Sequence, residues 1–410
     1  MSVAAETARE RPRRLATWAN VGILGIAGGV VAFWIALPPV AVRTAWIPMV
    51  VGAMSALLGV GALTRGERRI GWGAVASGVL GIAAGVAATQ ASAQHLDDAV
   101  RWSTLVSGSL WLTTVLIFAA IGGMFSERSG VVNIGLEGMM LMGAFFGAWG
   151  ADRTGSWVAG VLIGMLAGEL LALIHGVFCI HLRADQIVVG TAVIFLAYGI
   201  TGFLYNDIYG DQGTPGDLPR IPDVNLDWLG SIPPAELGRF LEESFADLSV
   251  MTLAALALVF VSYIVLFKTP LGLRIRACGE HPRAADTVGI NVYRMRYGSV
   301  VLSGVLAALG GVYLSIGYNG SFTEKMTAGY GFIALAALIF GNWRPFGVLA
   351  AALLFGLANA LAPELENVEA WAEYATLFAA LPYVLTIVAV AGVIGRTVPP
   401  AAVGRPYVKQ

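Results

Sequence analysis

The sequence predicts an all-α polytopic membrane protein with about eleven or twelve transmembrane helices, and three observations carry that prediction. Of 410 residues, 57% are hydrophobic and only 12% charged, a balance foreign to soluble domains. Mean hydropathy is +0.75. Apolar runs of about 17–25 residues recur from end to end, the length needed to cross roughly 30 Å of hydrocarbon.

Twelve apolar segments are candidate spans: 17–37, 45–64, 70–92, 103–124, 130–149, 156–180, 186–204, 249–267, 297–317, 327–342, 344–362 and 375–395. Segment 327–342 is short, and either crosses or re-enters as a half-helix. Arg9, Arg11, Arg13 and Arg14 precede a full-length span with no small-residue cleavage pattern after it, so no cleaved signal peptide is expected. Gly160, Gly164 and Gly168 repeat every four residues, as do the pairs Gly25/Gly29 and Gly81/Gly85, which lets helix backbones approach closely. Trp18, Trp46, Trp72, Trp102 and Trp157 fall near span ends, where interfacial aromatic anchors belong.

Net charge is −1, but the charges are sorted by side. With a cytoplasmic N-terminus and every segment crossing, the inner side receives the N-terminal arginines, Arg65, Arg68, Arg69, Arg128, Arg183, the basic stretch 268–296, Arg344, Arg396, Arg405 and Lys409. The outer side receives Arg43, Arg101, Arg153, Arg220, Arg239 and Lys325. That asymmetry predicts a multi-pass membrane protein with both termini on the cytoplasmic side. Cys179 and Cys278 fall near or in inner segments, so no disulfide is expected. The long outer loop 205–248 is acidic and broken by five prolines. Within it Leu237–Phe245 reads either as a short amphipathic helix lying on the membrane or as an unstructured connector. A second acidic outer turn, Glu364–Glu373, includes Trp371.

Catalytic and nucleotide-binding motifs are missing. Glycine precedes none of the three lysines, so no phosphate loop can form. The four histidines make no metal-type cluster with the cysteines, and no nucleophile elbow occurs. Neither a catalytic nor a metal role is expected.

Glu137 and Glu169 lie inside apolar segments, where an ionisable group costs a few kcal/mol or more unless paired or wet. Asn133 and Glu137 share a helix face beside Gly135 and Gly138. They read either as part of a water-lined path or as a hydrogen-bonded clamp between helices. Glu169 with His175 reads as packing glue. Tyr318, Asn319, Phe322 and Tyr330 bring aromatics and an amide to the outer mouth, chemistry suited to a flat polar solute, although interfacial aromatics also serve as anchors.

The stretch 268–296 carries Lys268, Arg274, Arg276, Arg283, Arg294 and Arg296 against only Glu280 and Asp286. Inside it Pro282 can open a short helix and Gly289 close it in a left-handed conformation. The loop is either a handle for another protein or a plain topology-setting basic loop.

Two motifs add to that reading. Ser126-Glu127-Arg128-Ser129-Gly130-Val131-Val132-Asn133-Ile134-Gly135-Leu136-Glu137-Gly138-Met139-Met140 is followed downstream by Thr269-Pro270-Leu271-Gly272-Leu273-Arg274 and by Gly279-Glu280, Pro282, Ala284-Ala285 and Gly289-Ile290. The pattern resembles permease subunits of bacterial ABC importers of the branched-chain amino acid/ribose class, nearest the nucleoside or "simple sugar" subgroup. The resemblance covers roughly 103–398. It implies a permease domain over 103–398 with a coupling loop at 268–296 and a tail at 399–410. Residues 1–102, with three predicted spans, fall outside it. It further implies that the short helix docks in a cytoplasmic ATPase, with Gly279, Glu280, Pro282, Ala285 and Gly289 setting shape and contact. This chain would bind no cofactor, ATP and Mg being used by the ATPase. The implied partners are that ATPase, a second, different permease and an extracytoplasmic solute-binding lipoprotein, with nucleosides or simple sugars carried inward. Two alternatives stand beside it: an ion-gradient-driven transporter of a small polar solute needing Glu137, and a membrane scaffold without solute flux.

Overall fold

Each buried backbone amide within hydrocarbon must find its partner inside the protein, so the apolar runs become helices. The computed structural model describes residues 18–36, 46–90, 102–233, 235–245, 247–366 and 398–409. Its helices are α1 Trp18–Ala36, α2 Trp46–Thr64, α3 Arg68–Gln90, α4 Trp102–Arg128, α5 Leu136–Thr154, α6 Trp157–Gly176, α7 Gln186–Tyr209, α8 Ala235–Phe245, α9 Val250–Lys268, α10 Pro270–Glu280, α11 Pro282–Thr287, α12 Val292–Val312, α13 Tyr330–Phe340 and α14 Pro345–Glu366. Helices α6 and α12 run on into π-helical turns, Val177–His181 and Tyr313–Asn319. Among the described residues, six helical stretches are long and apolar enough to cross a membrane. Helix α14 continues to Glu366. The rest of the acidic turn with Trp371, and the 375–395 span, lie outside the described residues.

The chain forms two compact units, residues 1–102 with 230–241, and 103–229 with 242–410. In the first, α1–α3 pack through small residues: a Cβ on Gly52 would fall 2.7 Å from the Gly78 carbonyl oxygen, and one on Gly29 2.6 Å from the Gly78 nitrogen. In the second, the α6 glycine stripe does the same. A Cβ at Gly160 or Gly164 would meet the carbonyl oxygens of Gly147 and Gly143 at 2.6 and 2.8 Å, and one at Gly168 that of Gly304 at 2.7 Å. One small-residue stripe thereby seats both α5 and α12.

Two stretches depart from the expected spans, and each has a physical reason. The fifth span begins helically at Leu136, not at 130. Gly130 adopts φ +99°, and the unwound backbone after it is satisfied by distant side chains. Ser126 Oγ donates to the Val131 carbonyl at 2.7 Å, the Val132 amide donates to Gln186 Oε1 at 2.7 Å, and His175 Nε2 lies 3.1 Å from the Val132 carbonyl. Irregular backbone survives inside a bundle when it is paid this way.

The second departure is α13. Its eleven residues extend about 16 Å, half a hydrocarbon core. Tyr318, before it, stacks on Trp111 of α4. Trp343, just after it, bonds Glu127 and Arg128 at the other end of the same helix. Residues 319–343 therefore descend roughly 25 Å along α4, helical only in their second half. The loop 205–248 also holds more order than expected: α7 runs on to Tyr209, Leu237–Phe245 is helical as part of α8, and β1 Asp223–Asn225 pairs antiparallel with β2 Asp247–Ser249. The all-α reading contained no such ribbon, because three-residue strands carry no alternation to read.

Candidate functional site

At the Arg128 end of α4, the basic stretch folds into a two-helix platform. Thr269 Oγ1 accepts from the Gly272 amide at 3.2 Å, and Pro270 opens α10, where its missing N–H costs nothing. Pro282 opens α11, and Gly289 ends it at φ +86° with the Ile290 amide donating to the Ala285 carbonyl at 3.0 Å. Asn291 then caps α12, accepting from the Arg294 amide at 3.0 Å.

Gly279 joins this platform to the bundle, for a Cβ there would overlap the Arg128 carbonyl oxygen. Glu280 Oε1 lies 3.9 Å from Arg128 Nη1, and Glu280 Oε2 accepts from the Ala401 amide at 3.1 Å. Arg128 in turn donates through Nε and Nη2 to the Trp343 carbonyl at 3.0 and 2.9 Å, while Trp343 Nε1 donates to Glu127 at 2.5 Å. Of the five residues predicted for coupling, Gly279 and Ala285 face inward, Glu280 bridges, and Pro282 and Gly289 set the helix ends. Arg283, Ala284, Thr287 and Val288 are left exposed.

Sequence reasoning missed the third wall of this platform, the tail 398–409. The Ala402 amide donates to the Gly279 carbonyl at 2.8 Å, and the Gly404 amide to that of Gly130 at 3.3 Å. Buried Arg296 donates to the Arg405 carbonyl at 3.1 Å. Tyr407 is buried with Cys278, Ala285 and Val292, its ring edge-on to Tyr293 at 5.5 Å. Burial and its hydrogen bond to the Asp286 carboxylate push the Tyr407 hydroxyl up to about 12. Burial likewise pushes the Cys278 thiol up to about 11. Between the tail and α11 lies a groove of about 500 Å³ edged by His281, Arg283, Arg405 and Tyr407. The hint in the sequence was an aromatic directly after Pro406 and close behind Gly404.

Asn133 and Glu137 are wholly buried. Asn133 Nδ2 donates to Ser303 Oγ at 2.9 Å. Glu137 caps α13: its Oε1 accepts from the Thr327 hydroxyl at 2.6 Å and the Gly329 amide at 2.9 Å, and its Oε2 from the Gly331 amide at 2.7 Å. A carboxylate against a helix N-terminus is favourable there, and the arrangement has the geometry of the clamp. Phe322 is also buried, between Phe145 and Tyr205. Asn319 is exposed.

Tyr318 lines a polar cavity of about 430 Å³ near the other end of α4. Trp111 stacks on it with centroids 4.3 Å apart and planes 11° from parallel, and meets Tyr330 edge-on at 6.0 Å. Thr104, Ser107, Arg220, Asp223, Glu243 and Ser244 complete the polar side. Trp111 was not picked out from the sequence, since within an apolar run it looks like any other span residue.

Residues 105–390 match the family described as branched-chain amino acid transport system permease component. The chain is 44% identical to the guanosine ABC transporter permease protein NupQ of Bacillus subtilis over 315 residues, 75% of this chain and 97% of that protein. It is 40% identical to the nucleoside ABC transporter permease protein NupC of Lactococcus lactis over 313 residues, 74% and 96% of the two chains. A second Lactococcus lactis protein, the nucleoside ABC transporter permease protein NupB, is 27% identical over 266 residues, 62% and 70%. No solved structure matches significantly. A platform with no phosphate loop of its own thus sits in a chain that belongs to this permease family, as a multi-pass membrane subunit of an ABC importer and a transport component, not an enzyme.

Proposed function

We propose that this subunit conducts nucleosides into the cell, paired with a second, different permease and driven by a cytoplasmic ATPase that grips α11. A lipoprotein would deliver the solute to the opposite face. The observation that carries the reading is the exposed α11 surface on a platform seated against Arg128 and Gly130 by Gly279. Movement imposed on α11 would pass through that contact into α4 and, through Trp343, into the broken span 319–343. ATP and Mg would then belong to the ATPase, and this chain would hold no cofactor. The names of NupQ and NupC support nucleosides as cargo, and the likeness to both NupC and NupB supports two unlike permeases.

The positive-inside asymmetry supports a cytoplasmic platform, tail and N-terminus, with the Trp111 cavity outside. On this reading residues 319–343 cross as an extended stretch plus a half-helix, residues 103–398 form the permease domain, and 1–102 add three spans. The tail is part of the grip, because it shares the groove beside Arg283.

The test is guanosine uptake by membrane vesicles holding the full transporter, with Arg283–Val288 replaced by a Gly/Ser linker. Uptake should fall to background and the ATPase should no longer co-purify, while the chain still inserts. Uptake that survives the swap refutes the coupling. Uptake by this chain alone that collapses with an ionophore would install the ion-gradient reading in its place, and a complete transporter that moves glucose but no nucleoside would make it a sugar permease.

A further inference from the structure

The cavity beside Trp111 has features that a plain opening does not need. Its volume of about 430 Å³ lies within the range of small-molecule sites, about 300–1,000 Å³. One wall is an aromatic platform already assembled: Tyr318 rests on Trp111, yet stays 46% exposed. The π-helical turn Tyr313–Asn319 carries Tyr318 and Gly317 to the cavity wall. Such turns take side chains out of α-helical register and are frequent at functional sites.

The opposite side is polar in a particular way. Asp223 and Glu243 are acceptors only when ionised, and Arg220 is a donor only. Ser244 Oγ is buried, the residue being 3% exposed, and has no hydrogen-bond partner. A buried hydroxyl on a cavity wall with no partner lacks something to bond.

From these groups we infer that the cavity is a nucleoside-selecting site in this permease, distinct from whatever selection a delivery protein makes. The nucleobase stacks on the Tyr318–Trp111 platform, where every base has a face to offer. The vicinal ribose hydroxyls donate to Asp223 and Glu243, and Arg220 and Ser244 take polar edges of the base. Two carboxylates against one guanidinium repel a phosphate, so nucleotides are excluded. A free base brings no ribose hydroxyl to the two carboxylates, and a 2′-deoxynucleoside brings one fewer. The inference rests on the reading of nucleosides as cargo.

The experiment measures uptake of guanosine, 2′-deoxyguanosine and guanine by the complete transporter in proteoliposomes, at concentrations well below saturation. Tyr318→Ala should lower guanosine uptake about tenfold, and Tyr318→Phe should restore it, because the face and not the hydroxyl is used. Asp223→Asn with Glu243→Gln should leave the three solutes less distinguished, reducing the guanosine-to-deoxyguanosine ratio severalfold. Co-purification of the ATPase shows that each variant is assembled. Wild-type rates in Tyr318→Ala, with an unchanged ratio in the double variant, overturn the site while leaving nucleoside transport standing. A wild-type transporter that moves none of the three solutes overturns the cargo reading, and this inference with it. If Tyr318→Ala does not assemble, Tyr318→Leu and the two carboxylate variants decide the matter alone.

Discussion

The two ends of α4 use polar groups in opposite ways. At the Arg128 end most contacts run within the chain: the carbonyls of Gly130, Gly279, Trp343 and Arg405 all accept bonds, and both oxygens of Glu280 face partners, although Arg276 Nε and Arg296 Nε and Nη2 are buried without one. At the Trp111 end, Tyr318 is half-exposed, Ser244 is unpartnered, and Glu243 lines a hollow. On the proposed function, the difference separates a part that would transmit force from a part that would receive a solute. A lever must not yield, and the many bonds within the chain at this end suit one. A receptor needs groups held in place but left for another molecule. Glu137 stands between the two, fixing the half-helix that leads from one to the other.

The largest effect is expected where the two ends are tied together. Glu137→Ala removes the acceptor for two backbone amides and the Thr327 hydroxyl at the start of α13. Orphaned buried donors cost about 1–3 kcal/mol each, so the loss is on the order of 3 kcal/mol or more. Thermal melting of the purified chain in detergent should drop by several degrees, and Glu137→Gln should recover part of it through its remaining carbonyl. Unchanged melting in Glu137→Ala would show that α13 is held by other means and that the two ends are not joined here. An ion-gradient transporter needing Glu137 as a proton carrier predicts the reverse pattern: intact stability with uptake lost.

The middle-sized effects separate two glycines that look alike in sequence. Gly279→Val drives a side chain into the Arg128 carbonyl, and overpacking of this kind costs about 1–3 kcal/mol. The platform has to lift from α4, so ATP hydrolysis should continue without driving uptake. Gly289 has nothing within 4 Å of a built Cβ, but its φ is +86°. Gly289→Ala then costs only the left-handed strain of about 1–2 kcal/mol and should loosen the end of α11 while leaving the platform seated. Measuring uptake per ATP hydrolysed for both variants ranks close approach against backbone conformation. Equal ratios would remove Gly279 as the joint.

Much of this was legible in the sequence, for local reasons. The spans followed from apolar length, and the short helix from Pro282 and Gly289, two punctuators that flank the six residues 283–288. The residues proposed for coupling needed the family resemblance, since nothing in the spacing says which way Gly279 faces. What stayed hidden was settled by partners remote in sequence. The unwinding before Leu136 depends on Gln186 and His175 supplying what a helix would have supplied. Trp111 gains meaning from Tyr318, and Tyr407 from Asp286 and Cys278, none of which is near it in the chain. Asn133 and Glu137 do not share the expected helix face, because α5 begins only at Leu136; Asn133, in the unwound stretch, bonds Ser303 of α12, whereas Glu137 caps α13.

The smallest effect concerns the tail, and it tests whether the platform end is as closed as its hydrogen bonds make it. Tyr407→Phe deletes only the hydroxyl that donates to Asp286, worth about 1 kcal/mol, or roughly a fivefold change in how often the tail lifts. Cys278 reports that lifting, because it is buried beside Tyr407. In a Cys179→Ser background, maleimide labelling of Cys278 at pH 7 should run about fivefold faster in Tyr407→Phe than in the parent. The pH dependence has a fixed sign. Docked Tyr407 holds its proton up to about 12, whereas a free tyrosine loses it near about 10. The docked state therefore binds more protons between those values, so tail docking is at full strength below pH 10 and weakens as pH rises toward 12. The thiol itself becomes more reactive over the same range, from about 11 in the docked state, so the comparison is made between variants at each pH. The parent should approach Tyr407→Phe as the pH climbs, because the phenylalanine variant has no proton to lose. Identical labelling of the two at pH 7 would mean that the Asp286 bond does not hold the tail down, and the platform would then close through its backbone contacts alone.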